Sequence, residues 1–124
     1  MATARGGSPG QRRALGALGE DRAAAWYVDH GYTVLARNWR RRDGEIDLVC
    51  AKGSLVVICE VKARSGGSFG HPAEAVTPAK RRRLRGLAAG WLAEHGRDGR
   101  RAAVVRFDVA AVRGYAVEII EDAF

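Results

Sequence analysis

Three runs in the first half of the chain, YTVLARNW (32–39), GEIDLVCA (44–51) and SLVVICEVKAR (54–64), are rich in apolar, β-branched and aromatic residues. They predict consecutive strands, the last two joined as a hairpin through the turn AKGS. Leu55 to Cys59 is apolar at every position, which predicts a central strand covered on both faces. Upstream, the pattern predicts a helix from Ala14 to His30 with Leu15, Leu18, Ala25 and Trp26 as its apolar stripe and Gly31 as its stop. Gly16 and Gly19 lie inside that helix, and each costs about 1 kcal/mol of helix propensity relative to alanine. Glycines kept at that cost imply a close approach to this backbone. Downstream, Thr77 reads as an N-cap and Pro78 as the first helical residue. The helix they open has an apolar face of Leu84, Leu87, Ala88, Trp91 and Leu92, and Gly96 can end it. AAVVRFDVAAV and YAVEII, turning near Gly114, read as two closing strands. The order α-β-β-β-α-β-β predicts an α/β sandwich, a mixed β-sheet flanked by helices, with no internal repeat.

At 124 residues the chain has room for one domain. Residues 1–13, rich in glycine, serine and arginine, are expected to form a flexible basic tail ahead of a single domain over 14–124. The loop SGGSFGHP, with His71 in it, implies either mobility or close contact with a ligand. Cys50 and Cys59 fall on adjacent strands, about four residues out of register if the turn pairs residue 51 with 54. That is roughly 13 Å, beyond the about 7 Å that a disulfide spans, so both read as small buried hydrophobes. The sequence contains no apolar run near the roughly 20 residues that cross a bilayer, and its first residues lack the apolar core of a signal peptide. A cytoplasmic location with no membrane partner is expected. The net charge of +7 points to a polyanionic partner, nucleic acid ahead of an anionic membrane surface.

Charged residues interrupt two of the strands. Alternation puts Glu60 and Lys62 on one face of the third strand. With residue 51 opposite 54, and so 47 opposite 58, Asp47 shares that face. Two carboxylates held together raise each other's pKa unless a cation sits between them. A divalent metal such as Mg²⁺ or Mn²⁺ takes carboxylate oxygens and keeps sites for water and phosphate. Lys62 could then stabilise charge developing on the phosphate or orient the attacking water. Taken alone, E-x-K on a strand is more often a solvated edge or an ion pair, and Asp47 could be one polar position of an alternating strand.

Asp47 followed by Glu60-Val61-Lys62 resembles the PD-(D/E)-x-K nuclease pattern. The stretches GALGEDRAAAWYVDHGYTVLARNWR, GEIDLV, EVKARS, FGHPAEAVTPAKRRRLR and RFDV resemble the YraN family, also called UPF0102. The resemblance covers nearly everything after the N-terminal tail. It implies a restriction-endonuclease-like core, similar to Holliday-junction resolvases, with branched DNA as a candidate substrate by analogy. One departure is that Ile46 stands where the nuclease pattern has proline. The resemblance also implies that Glu20, on the first helix, joins Asp47 and Glu60 as a metal ligand. Read from the residues alone, Glu20 is a helix acid on the same face as Gly16. Glu45 is expected to point away from Asp47 and is left outside the metal set.

Lys80, Arg81, Arg82, Arg83 and Arg85 crowd the first turns of the second helix, where cations oppose the helix dipole. A phosphate ligand would explain that placement as well as a solvated face does. Arg37, Arg40, Arg41 and Arg42 form a second basic run just before GEID, and Trp39 within it could stack on a base or belong to the core; Arg64, at the end of the E-x-K strand, is counted with the nucleic-acid-binding residues. No base-reading module accompanies them, so contacts to the phosphate backbone are expected, with little sequence specificity. Arg106 and Asp108 share a strand face without an assigned role. These observations add up to an expected metal-dependent nuclease acting on DNA more than RNA, with a homodimer as an option where two strands are cut. Two alternatives are an accessory protein that binds nucleic acid without cutting it and a module that docks an acidic protein.

Overall fold

A computed structural model describes residues 9–64, 76–95 and 104–124, with side chains from Leu15 onward. Seven elements run in the expected order: α1 (Pro9–Asp29), β1 (Thr33–Arg41), β2 (Gly44–Lys52), β3 (Leu55–Arg64), α2 (Pro78–His95), β4 (Val104–Arg113) and β5 (Ala116–Ile120). The strands form one mixed sheet in the order β1-β2-β3-β4-β5, antiparallel except for the β3–β4 pair. The parallel pair requires a crossover, which α2 supplies. The first eight residues of the expected tail, the SGGSFGHP loop with His71, and Gly96 lie outside the described residues.

The central strand behaves as its composition requires: Val56, Val57, Ile58 and Cys59 are buried. One face of the sheet packs on α1 through Leu48, Cys50, Val57, Cys59, Ala110 and Val112, the other on α2 through Val49, Val56, Ile58 and Val109. On α2 the residues that meet the sheet are the expected Leu84, Leu87, Ala88 and Trp91. The Thr77 hydroxyl accepts a hydrogen bond from the Lys80 N–H at 3.2 Å, so this helix starts where its capping chemistry says.

The first helix departs from expectation in two ways. It begins at Pro9, not Ala14. Proline suits the first helical position, where a missing N–H removes no intrahelical bond. Its buried face is Gly19, Ala23, Ala24 and Tyr27, whereas Leu18 and Ala25 of the expected stripe are exposed and Trp26 is half-buried. Small residues face the sheet because the helix lies almost on the strands: a Cβ at Gly19 would stand 2.7 Å from the Cβ of Ala63. The close approach is therefore at Gly19 alone, since a Cβ at Gly16 would meet nothing within 4 Å.

Asp108, on β4, is fully buried beneath α1 and is saturated with donors. Tyr27 donates to it at 2.6 Å, Arg106 grips both oxygens at 2.8 and 2.9 Å, and the Asp122 N–H donates at 3.1 Å. Burial pushes the Tyr27 hydroxyl pKa far up, so it stays a donor. A buried carboxylate is tolerable only when paired and bonded in this way. The two residues that had no assigned role are thus a structural tie from β4 to α1 and the C-terminal segment.

Candidate active site

The β2–β3 hairpin turns through Gly53 and Ser54, with Gly53 at φ +59° and Lys52 opposite Leu55. This is a two-residue slip from the expected pairing of 51 with 54. A slip of two keeps every side chain on its own face, so Asp47 still joins Glu60 and Lys62. The same slip leaves Cys50 and Cys59 two residues out of register, both free and buried. Burial pushes the Cys50 thiol up to about 12 and Cys59 well above its usual range, which leaves both protonated and inert.

Pairing between β2 and β3 runs to Leu48 opposite Cys59 and stops there. Beyond it the Asp47 side chain takes over from the backbone, its Oδ2 accepting the Val61 N–H at 2.8 Å. The splayed strand ends open a cavity of about 230 Å³ lined by Asp47, Glu60, Glu45, Lys80 and Arg83. At about 30 Å³ per water molecule, it has room for a small hydrated ion. Its roof is α2. Glu60 is buried on the face turned toward that helix, and two ammonium groups converge on its Oε2: Lys80, which bonds it directly, and Lys62 at 3.3 Å.

These contacts divide the electrostatics unevenly. Burial raises the Asp47 carboxyl to about 7, and repulsion from Glu60 adds to the rise; the Val61 N–H works against it, and Glu20 and Glu45 push it further up. Burial disfavours the Lys80 ammonium, but its bond to Glu60 outweighs that and its pKa lies above the ordinary lysine value. Of the three carboxylates that line the cavity, Glu60 pairs with two lysines and Glu45 with Arg40, whereas Asp47 has no salt-bridge partner among the described residues.

One placement differs from expectation. Glu45 lines the same cavity as Asp47: residues two apart on a strand share a face, so it faces the site instead of turning away. Glu20 lies near enough to raise the Asp47 pKa, yet its Oε1 is bound by the Asn38 amide at 2.8 Å, with Arg37 at 3.7 Å. Among the described residues no three histidine, cysteine or acidic side chains are grouped closely enough to hold a metal ion. The basic run at the start of α2 also divides. Lys80, Arg82 and Arg83 line cavities, whereas Arg81 and Arg85 turn toward the ring of Phe124, and Arg81 also donates to the Val76 carbonyl. Arg40 pairs with Glu45, Arg41 with Glu94, and Arg42 is exposed. Arg64 is half-buried at the end of β3.

Asn38 is the residue that sequence reasoning passed over. It sits in β1 at φ +52°, between Arg37 opposite Leu48 and Trp39 opposite Ile46, which puts it across from Asp47. A left-handed residue inside a strand is strained, and such strain gathers at functional sites. The available signal was the asparagine itself, poor in strands yet tolerant of that conformation.

Residues 19–112 match the model of the family described as "Uncharacterised protein family UPF0102". Similar curated proteins include a UPF0102 protein of Acidothermus cellulolyticus, 46% identical with 95% of this chain and 98% of the relative covered. One from Rhodococcus jostii is 48% identical over 90% of this chain and 96% of its own length. Another, from Beutenbergia cavernae, is 54% identical over 80% and 81%.

Proposed function

The chain belongs to the UPF0102 family, and from the chemistry of its acidic cavity we propose that it is a metal-dependent nuclease hydrolysing phosphodiester bonds of nucleic acid, DNA more than RNA. The observation that carries this reading is the pairing of buried Glu60 with half-buried Asp47 at the splayed ends of β2 and β3, with Lys62, Lys80 and Arg83 around them. A carboxyl pushed up to about 7 beside a second acid, in a cleft, is the kind of perturbation that gathers at functional sites.

The donor set fits a small divalent cation. Asp47 and Glu60 offer hard oxygens, Asp47 has no salt-bridge partner among the described residues, and the ammonium of Lys80 already marks a position beside Glu60 where positive charge is favoured. Asp47 and Glu60 would hold Mg²⁺ or Mn²⁺, and Glu20 would complete the set by giving up its bond to Asn38. The ion, when bound, supplies a polarised water as nucleophile and neutralises charge on the phosphate. Lys62, 3.3 Å from Glu60, would stabilise negative charge that develops on the phosphate. Lys80, released from Glu60, and Arg83 would hold the non-bridging phosphate oxygens. A second reading, binding without cleavage, draws on the pairing of Glu60 with two lysines, which balances this acid without any metal.

The test is cleavage of labelled single-stranded, duplex, flap and four-way-junction DNA, with matching RNA, in Mg²⁺ or Mn²⁺. Wild type is expected to cut at least one substrate, and chelator, Asp47→Ala and Lys62→Ala each to reduce the rate by about 10²-fold or more. Binding without cleavage, or equal cleavage by all three proteins, would replace this reading with the non-catalytic one.

A further inference from the structure

Beside the acidic cavity lies a larger one, about 600 Å³, that the mechanism above leaves unused; the two share Arg83 and Leu87. On the α2 side its surface includes Gly86 and Gly90, flanked by Arg82, Arg83, Leu87 and Glu94. A Cβ at Gly86 would meet nothing within 4 Å, and one at Gly90 would meet only the Trp39 indole, at 3.6 Å. Across from them, the Arg41 guanidinium lies over the Trp39 ring, 4.0 Å from its centroid. Glu94 grips that guanidinium through both Nε and Nη2, which fixes the orientation of the plate. The carboxylates of Asp43 and Glu94 line the groove together with Arg82 and Arg83.

A phosphate alone would use only the arginines of this lining, because the indole offers it nothing and Asp43 repels it. A nucleobase fits every part. Its flat faces stack on aromatic rings and guanidinium planes, its N–H edge donates to a carboxylate, and the phosphates on either side of it meet arginines. The volume also lies within the usual range for small-ligand sites. We infer that this groove takes one unpaired nucleobase of the strand whose phosphate lies at Asp47 and Glu60. The substrate class is then nucleic acid with a single-stranded or frayed nucleotide next to the scissile bond, since a base stacked within a duplex has no free face to offer. The inference rests on the nuclease reading, with Arg83 as the link between the two cavities.

Fluorescence anisotropy in chelator tests it, using labelled single-stranded DNA and a blunt duplex of the same sequence with wild type, Trp39→Leu, Trp39→Phe and Gly86→Leu. Wild type is expected to bind the single strand about ten-fold more tightly than the duplex, the scale of one stacked base. Trp39→Leu and Gly86→Leu should erase that preference with duplex affinity little changed, while Trp39→Phe retains most of it. Gly86→Leu puts a better helix former where a Cβ has open space, so it separates a filled groove from a misfolded protein. Equal wild-type affinity for both polymers, or a preference that survives both variants, overturns the groove assignment and leaves the nuclease reading in place. Binding to neither polymer overturns both.

Discussion

Asp47 is where the site departs most from what folding alone would select. Partial burial and the nearby Glu60 carboxylate push its carboxyl up to about 7 in the folded protein, against 3.8 for an ordinary aspartate. The sign of the linkage follows from that rise. Between these two values the folded state holds a proton that the unfolded chain has lost, so this residue's contribution to stability is fully present below about pH 4 and is lost as pH rises through about 7. In chelator, raising the pH from 5 to 8 should therefore lower the Tm of wild type by at least about 4 °C more than that of Asp47→Asn, the shift that about 1 kcal/mol gives in a small domain. Thermal melts of the two proteins across that range check it, and parallel curves would remove the strain assigned here to Asp47. Much of this residue's setting was legible in the sequence. Alternation placed Asp47, Glu60 and Lys62 on one face, and the turn was misread by two residues without harm because only an odd slip changes faces. Lys80 as a direct partner of Glu60 was not legible, since it depends on how α2 lies across the sheet and nothing local to TPAKRRR encodes that angle.

At the scale of elements, the two helices show why one buried face could be read and the other could not. α2 marks its start with Thr77 and Pro78 and buries large apolar residues, so its pattern carries a clear signal. α1 buries Gly19, Ala23 and Ala24, residues whose side chains contribute little to any hydrophobic periodicity, because the helix must lie close against β3. That closeness sets Glu20, the next residue, above the strand ends that carry Asp47. Two alanine substitutions separate propensity from packing. Gly16→Ala should gain about 0.5–1 kcal/mol, as expected for a helix interior with open space at the Cβ. Gly19→Ala should lose about 1–3 kcal/mol through the clash with Ala63, despite the same gain in propensity. Urea unfolding midpoints of the two variants check both signs, and a stabilised Gly19→Ala would contradict the close approach.

Across the described residues, the basic side chains behind the chain's +7 charge divide into distinct roles. Some are structural: Arg106 is bound to Asp108, and Arg81 and Arg85 turn to the C-terminal aromatic ring. Lys80, Arg82, Arg83 and Arg41 instead border two adjoining cavities, one acidic and one partly aromatic. Composition pointed to a polyanion but could not sort these roles, because Arg81 and Arg82 differ only in the side of α2 from which they project. No helix among the described residues is long and apolar enough to cross a membrane. The sheet, α1 and α2 meet where β2 and β3 part, and the account stands on that junction being a cation site. Calorimetric titration of Mn²⁺ into the full chain at pH 8, with Asp47→Ala and Glu60→Gln in parallel, tests it most directly. One ion should bind per wild-type chain, with affinity that falls as pH drops below about 7 because Asp47 must give up its proton, and both variants should lose binding. Wild type that takes up no Mn²⁺, or variants that bind it as tightly as wild type, would contradict it.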